Sequence, residues 1–105
     1  MSKFVITDVF GQTVVGSFSA WNHVVDGHKE MIDQEELVKR AISSPTSVHE
    51  TSDPARRLFR GATITTGFWK GSFPKVLLRY TKNGVGFLLT AYLDTLEPRG
   101  KKIWP

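Results

Sequence analysis

The stretch Lys75–Leu93 constrains this chain most. It reads KVLLRYTK, then Asn83-Gly84, then VGFLLTAYL. Two runs rich in β-branched and aromatic residues flank Asn-Gly, the strongest short-range signal for a β-hairpin. Both residues tolerate positive φ, which a type I′ turn demands at its two central positions. A two-residue loop predicts the pairs Tyr80–Phe87, Leu78–Leu89 and Val76–Ala91 on one face, all apolar or aromatic and so a core surface. The other face pairs Arg79 with Leu88, Leu77 with Thr90 and Lys75 with Tyr92, a mixed cationic surface on which chemistry would sit. A bulge at Gly86 would shift this register and turn half of the side chains over.

The chain has 105 residues, enough for one domain (1–105) with one modest core. Its net charge of +4 suits RNA, DNA or an anionic membrane surface, and equally a basic protein that binds nothing anionic. The absence of cysteine excludes disulfides and cysteine-ligated zinc. The opening MSKFVITDVFG lacks an apolar stretch of signal-peptide length, and no run approaches the roughly 18 apolar residues of a membrane span. A cytoplasmic protein without a membrane partner is expected.

Around the hairpin the pattern predicts strands at Phe4–Val9 and Thr13–Gly16 with a turn at Gly11. A first helix follows over Ser19–Asp26, capped by Ser17 or Ser19. Its apolar side carries Trp21, Val24, Val25 and His28 at i, i+3, i+4, i+7. Gly27 suits a left-handed C-terminal residue. Asp33 with Glu36 three residues on resembles a capping box for a second helix, flanked by Ile32 and Leu37 at staple positions. Leu37, Val38, Ala41 and Ile42 form its buried stripe, and Ser44-Pro45 ends it. Thr46–Glu50, Arg57–Arg60 and Lys101–Trp104 are expected as further strands, and Ala62–Phe73, with Gly67 and Gly71, as a loop or as a poorly formed strand around Thr63–Thr66. This order argues for an α+β fold in which N-terminal strands and two short helices pack on one face of a twisted antiparallel sheet.

Among residues that carry chemistry, His23 and His28 stand out. On a continuous helix five residues advance the azimuth by about 500°, leaving the rings ~140° apart, a poor metal geometry. A third ligand beyond His49 or Asp26 is not evident, so no metal is expected. Either histidine could serve as acid or base beside a phosphate; equally, His23 could be a plain exposed helix residue and His28 a helix-terminal group bonded to the chain end. Glu30, Asp33, Glu35 and Glu36 are accounted for by capping and dipole effects. Nucleophile-elbow, Walker and dinucleotide patterns are absent. Arg56, Arg57, Arg60, Lys70, Lys75 and Arg79 interleave with Phe59, Phe68 and Trp69. Such a surface can hold phosphates and stack bases, or guard a strand edge with charge.

The run Trp21-x-His23-Val24-x-x-x-His28-x-Glu30-Met31 resembles the W-x-H-I…H-P-E segment of phage-associated members of the barnase–EndoU–colicin–RelE nuclease superfamily. The later pieces follow in the same order: a helix ending in Ser-Ser-Pro45, an Arg57–Arg60 strand, a hairpin closing in Thr90-Ala91-Tyr92, and Ile103-Trp104. The likeness spans Val9 to Trp104, with Lys29 standing where the pattern has proline. It implies the fold of that superfamily and a metal-independent, cofactor-free endoribonuclease, of the toxin or mobile-element effector type. It places catalytic roles on His23, His28, Arg60 (or Arg57), Thr90 and Tyr92, and substrate contacts on Arg57, Lys75, Arg79 and Trp69. The implied partners are RNA, such as tRNA or mRNA, and an immunity or antitoxin protein. The alternative is a non-catalytic module with the same fold that binds nucleic acid or a host protein; a purely structural domain is the third reading.

Overall fold

A computed structural model describes residues 1–105. The elements are β1 (Ser2–Thr7), β2 (Thr13–Ser17), α1 (Phe18–Gly27), a 3-10 turn (Lys29–Met31), α2 (Glu35–Ser43), β3 (Ser47–Glu50), β4 (Arg56–Arg60), β5 (Phe73–Tyr80), β6 (Gly86–Asp94) and β7 (Lys102–Trp104). The strands form one sheet in the order β1-β2-β6-β5-β4-β3-β7. The architecture is α+β, as expected, but the sheet is mixed rather than antiparallel. β2 runs parallel to β6, joined only at Val14–Gly86 and Val15–Phe87, whereas every other neighbouring pair is antiparallel. The N-terminal hairpin docks as a unit on the outer strand of the central one, and its chain direction sets that one parallel contact. No helix is long and apolar enough to cross a membrane.

One face of the sheet is covered by the helices. There Phe4, Val14, Val48, Phe59, Val76, Leu78, Leu88 and Ala91 meet Trp21 and Val24 of α1, Met31, and Val38, Ala41 and Ile42 of α2. Ser17 caps α1, its side chain accepting from the Ala20 amide at 3.0 Å. Gly27 is the last residue of α1 and is not left-handed; the helix ends instead at His28, whose extended φ of −136° breaks the spiral. Asp33 is not the cap of α2. It takes φ 63°, and Gln34 holds the cap position without a side-chain bond. An aspartate tolerates the left-handed region because its short polar side chain bonds locally. The expected staple fails with it, leaving Ile32 exposed.

The central hairpin forms with a different turn. Thr81 N–H donates to Val85 O at 2.9 Å, which encloses three residues, and of the loop only Gly84 has positive φ. This is a type I turn closed by a left-handed glycine, the usual three-residue solution. The register therefore starts one residue off, with Tyr80 opposite Gly86, Arg79 opposite Phe87 and Leu78 opposite Leu88. A bulge that leaves Leu89 without an opposite number then restores the expected pairs Leu77–Thr90, Val76–Ala91 and Lys75–Tyr92. Phe87 is turned outward as a result, and Leu88 rather than Leu89 enters the core.

Candidate functional site

Side chains alternate along each strand, so the register fixes what shares the face away from the helices. Arg60 of β4 lies opposite Lys75 of β5, and Lys75 lies opposite Tyr92 of β6. Ser47 of β3 extends the same row beyond Arg60. One step along, His49, Leu58, Leu77 and Thr90 form a second row. Strands are about 4.8 Å apart, so Arg60 and Tyr92 stand roughly 10 Å apart across the sheet.

The row ends at an open strand edge. β2 pairs with β6 only as far as Phe87, so the edge of β6 from Leu88 onward has no strand beside it. α1 and the turn Lys29–Met31 pack there instead. Glu30 Oε2 accepts from the edge amide of Leu93 at 3.3 Å and lies 3.7 Å from His28 Nδ1. The His28 imidazole stacks on Tyr92, ring centroids 5.4 Å apart and planes 29° apart. Its side chain is 40% exposed, which leaves the ring accessible to a ligand. His28, Glu30 and Tyr92 thus form one cluster, with Thr90 two residues earlier on the same strand.

His23 does not join it. α1 is unbroken through Gly27, so His23 stays on its exposed side while His28, just past its end, turns to Tyr92. Trp21 and Val24 point into the core, and His23 is exposed, with no side-chain hydrogen bond or ion pair.

The cations of the row are already engaged. Arg60, 8% exposed, gives Glu97 a two-pronged bond, Nε to Oε1 at 3.1 Å and Nη2 to Oε2 at 2.8 Å. Its Nη1 donates to Gly61 O and Thr63 Oγ1, and the guanidinium lies over the Phe73 ring at 3.7 Å. Lys75 Nζ meets Asp94 Oδ2 at 2.9 Å. These hydrogen bonds hold both carboxyls below their usual range, Glu97 through Arg60 and Asp94 through Lys75. Asp94 ends β6, and Glu97 belongs to the strap that runs over the outer face from there to β7. His49 anchors its far end, Nδ1 donating to Gly100 O at 2.9 Å while Nε2 lies 2.8 Å from Ser47 Oγ.

The remaining expected contacts are dispersed. Arg57 is three residues from Arg60, so alternation turns it to the opposite face. There it bonds Gln12 Oε1 at 3.0 Å and lies over Phe10 and Tyr80. It cannot share a phosphate with Tyr92. Arg79 is on the outer face two rows from Lys75, bonded to Asp53 Oδ2 at 2.9 Å. Trp69 sits in the loop after β4, edge-on to Phe68 at 4.8 Å. No group of three or more histidines and carboxylates is placed to hold a metal ion. His28, Thr90 and Tyr92 line none of the molecule's four grooves; their cluster is spread on the sheet edge.

Sequence reasoning missed Asp94 and Glu97, and gave Glu30 only a capping or dipole role although it stands in the His28-x-Glu30 run. Asp94 was within reach of the hairpin pattern, since it follows Tyr92 by two and so shares its face. Glu97 carries no such signal, because a loop of irregular course brings it to Arg60.

Compared with known proteins, the chain matches no family model, no curated protein and no solved structure.

Proposed function

We propose that the protein is a metal-independent endoribonuclease with the fold of the barnase–EndoU–colicin–RelE superfamily, acting on RNA as a toxin or mobile-element effector. The observation that supports this reading is the lateral row Arg60–Lys75–Tyr92 terminating in the His28–Glu30 pair. It offers cations for a phosphodiester next to an accessible imidazole and a phenol. In the reaction, His28 takes the proton from a ribose 2′-OH, with Glu30 beside Nδ1 to stabilise the imidazolium. The 2′-oxygen attacks phosphorus, the bond to the 5′-oxygen breaks, and Tyr92 supplies the proton that the departing oxygen needs. The products are a 2′,3′-cyclic phosphate and a free 5′-OH. Arg60 and Lys75 offset the charge that builds on the phosphoryl oxygens, and Thr90 donates to one of them. A substrate phosphate must first displace Glu97 and Asp94.

The test is cleavage of total RNA by the purified protein in EDTA. His28→Ala is expected to lower the rate by 100-fold or more, the usual scale for removing a general base. His23→Ala, far from the cluster, is expected to retain near-normal activity. Full activity in His28→Ala would refute the mechanism. Tight RNA binding without cleavage would leave the binding module instead.

A further inference from the structure

Beyond the outer edges of β1 and β7 and the open stretch of β6, the segment after β4 also leaves backbone groups unpaired. Residues 62–65 follow β4 outside any regular element, and none of them has positive φ. Within them Ile64 uses both of its backbone groups on one side, its N–H donating to Ser72 O and its C=O accepting from Gly71 N, both at 2.8 Å. In an extended chain a residue's N–H and C=O point the same way, and those of its neighbours point the other way. The backbone groups of Thr63 and Thr65 are therefore turned from residues 71–72, and none of them makes a hydrogen bond. Together they form a short free β-edge.

That edge borders a groove of about 600 Å³ whose other wall is α2. The α2 wall presents Leu37, Arg40, Ala41 and Ser44, and Pro74 contributes further apolar surface. The charge of the groove is also unbalanced. Arg56, Arg60 and Arg79 each face a carboxylate, whereas Arg40 has none within ion-pair distance. Its helical neighbour Glu36 is held by Lys39 at 2.8 Å.

We propose that this groove binds an extended peptide carrying an acidic residue, added as a strand to the Thr63–Thr65 edge and lying along α2. The backbone of the peptide satisfies the two free N–H and two free C=O groups. Alternate side chains point into the groove, small and apolar toward Ala41 and Pro74, acidic toward Arg40. The three-residue edge is about 10 Å long at 3.3 Å per residue, so three to five residues of the partner suffice.

A random heptapeptide library displayed on phage supplies the probe, with wild-type protein as bait. Selected peptides are expected to carry an acidic residue within an otherwise apolar, strand-forming sequence. Bound to the labelled protein, a synthetic copy slows amide exchange at Thr63 and Thr65. Thr65→Pro deletes a donor that no intramolecular bond uses, so the thermal midpoint stays near wild type while affinity falls at least tenfold. Arg40→Ala lowers affinity by a similar factor and removes the preference for acidic sequences. Failure to enrich acidic peptides, affinity that survives Thr65→Pro, or a dimer of the free protein joined through this edge would overturn the proposal. So would a single-stranded RNA that displaces the peptide from the groove.

Discussion

Tyr80 illustrates how one side chain ties two ends of the chain together. Asp8 is buried after β1, where Oδ1 accepts from the amides of Phe10 and Gln12 at 2.9 and 2.8 Å. Oδ2 accepts from the Tyr80 hydroxyl at 2.5 Å. Burial, then the bond to Asp8, pushes Tyr80 ionisation well above its ordinary 10.0. The phenol is the form the fold selects, so its stabilisation is fully present below pH 10 and is lost as pH rises beyond it. Tyr80→Phe leaves a buried carboxylate oxygen unpartnered, a cost of about 1–3 kcal/mol. At roughly 4–8 °C per kcal/mol for a domain near this size, the thermal midpoint should fall by at least about 4 °C at pH 7. The variant should also show less additional loss than wild type between pH 9 and 11. A midpoint within 1 °C of wild type would mean that Asp8 finds another donor. The composition of the hairpin places Tyr80 on the core face, but nothing in the sequence links it to a residue 72 positions away.

Among the elements, the strap Thr95–Lys101 depends most on particular contacts. Asp94, the last residue of β6, fixes its start, with Oδ1 accepting from the amides of Thr95 and Leu96 at 2.7 and 3.1 Å while Oδ2 holds Lys75. Near its end a Cβ at Gly100 would lie 1.8 Å from the Glu50 carbonyl oxygen, so only glycine can cross β3 there. Gly100→Ala is expected to lift the strap and unpair β7, seen as faster amide exchange at Lys102 and Ile103. Unchanged exchange would mean that the crossing relaxes without loss. Acid should loosen the same contacts. The folded pKa values of Asp94 and Glu97 are depressed, so their contribution is present above the ordinary carboxylate range and is lost as pH falls through the lower folded values. The Thr95 and Leu96 amide resonances should report that titration, with a midpoint below that of an ordinary aspartate. Regular elements of this fold were legible because periodicity encodes them: both helices, β3, β4 and the distal half of the central hairpin. Asn83-Gly84 announces a hairpin, but not that glycine alone takes positive φ. The bulge at Leu89 then returns the pairing to the register that a two-residue turn would have given.

At the scale of the molecule, the count of 14 lysines and arginines overstates what a polyanion meets. Arg56 and Arg79 share Asp53, Lys3 and Lys39 meet Glu35, and Arg60 and Lys75 are covered by the strap. Alternation and register are local rules, so the sequence could put Lys75, Thr90 and Tyr92 on one face. It could not reveal that acids from a loop sit on the cations, because that is a property of the whole chain's path. If RNA crosses the outer face, it must exchange places with Glu97 and Asp94. For single strands each phosphate neutralised contributes about −0.7 to the slope of log affinity against log salt. Wild type spends part of its binding on expelling the two carboxylates. The double variant Asp94→Asn, Glu97→Gln leaves Arg60 and Lys75 free to take two phosphates. It should bind a single-stranded RNA more tightly at low salt, with a slope steeper by about 1.4 in fluorescence anisotropy across a potassium chloride series. An equal slope in the two proteins would place the RNA elsewhere, and the row that ends at His28 would lose its claim to the substrate.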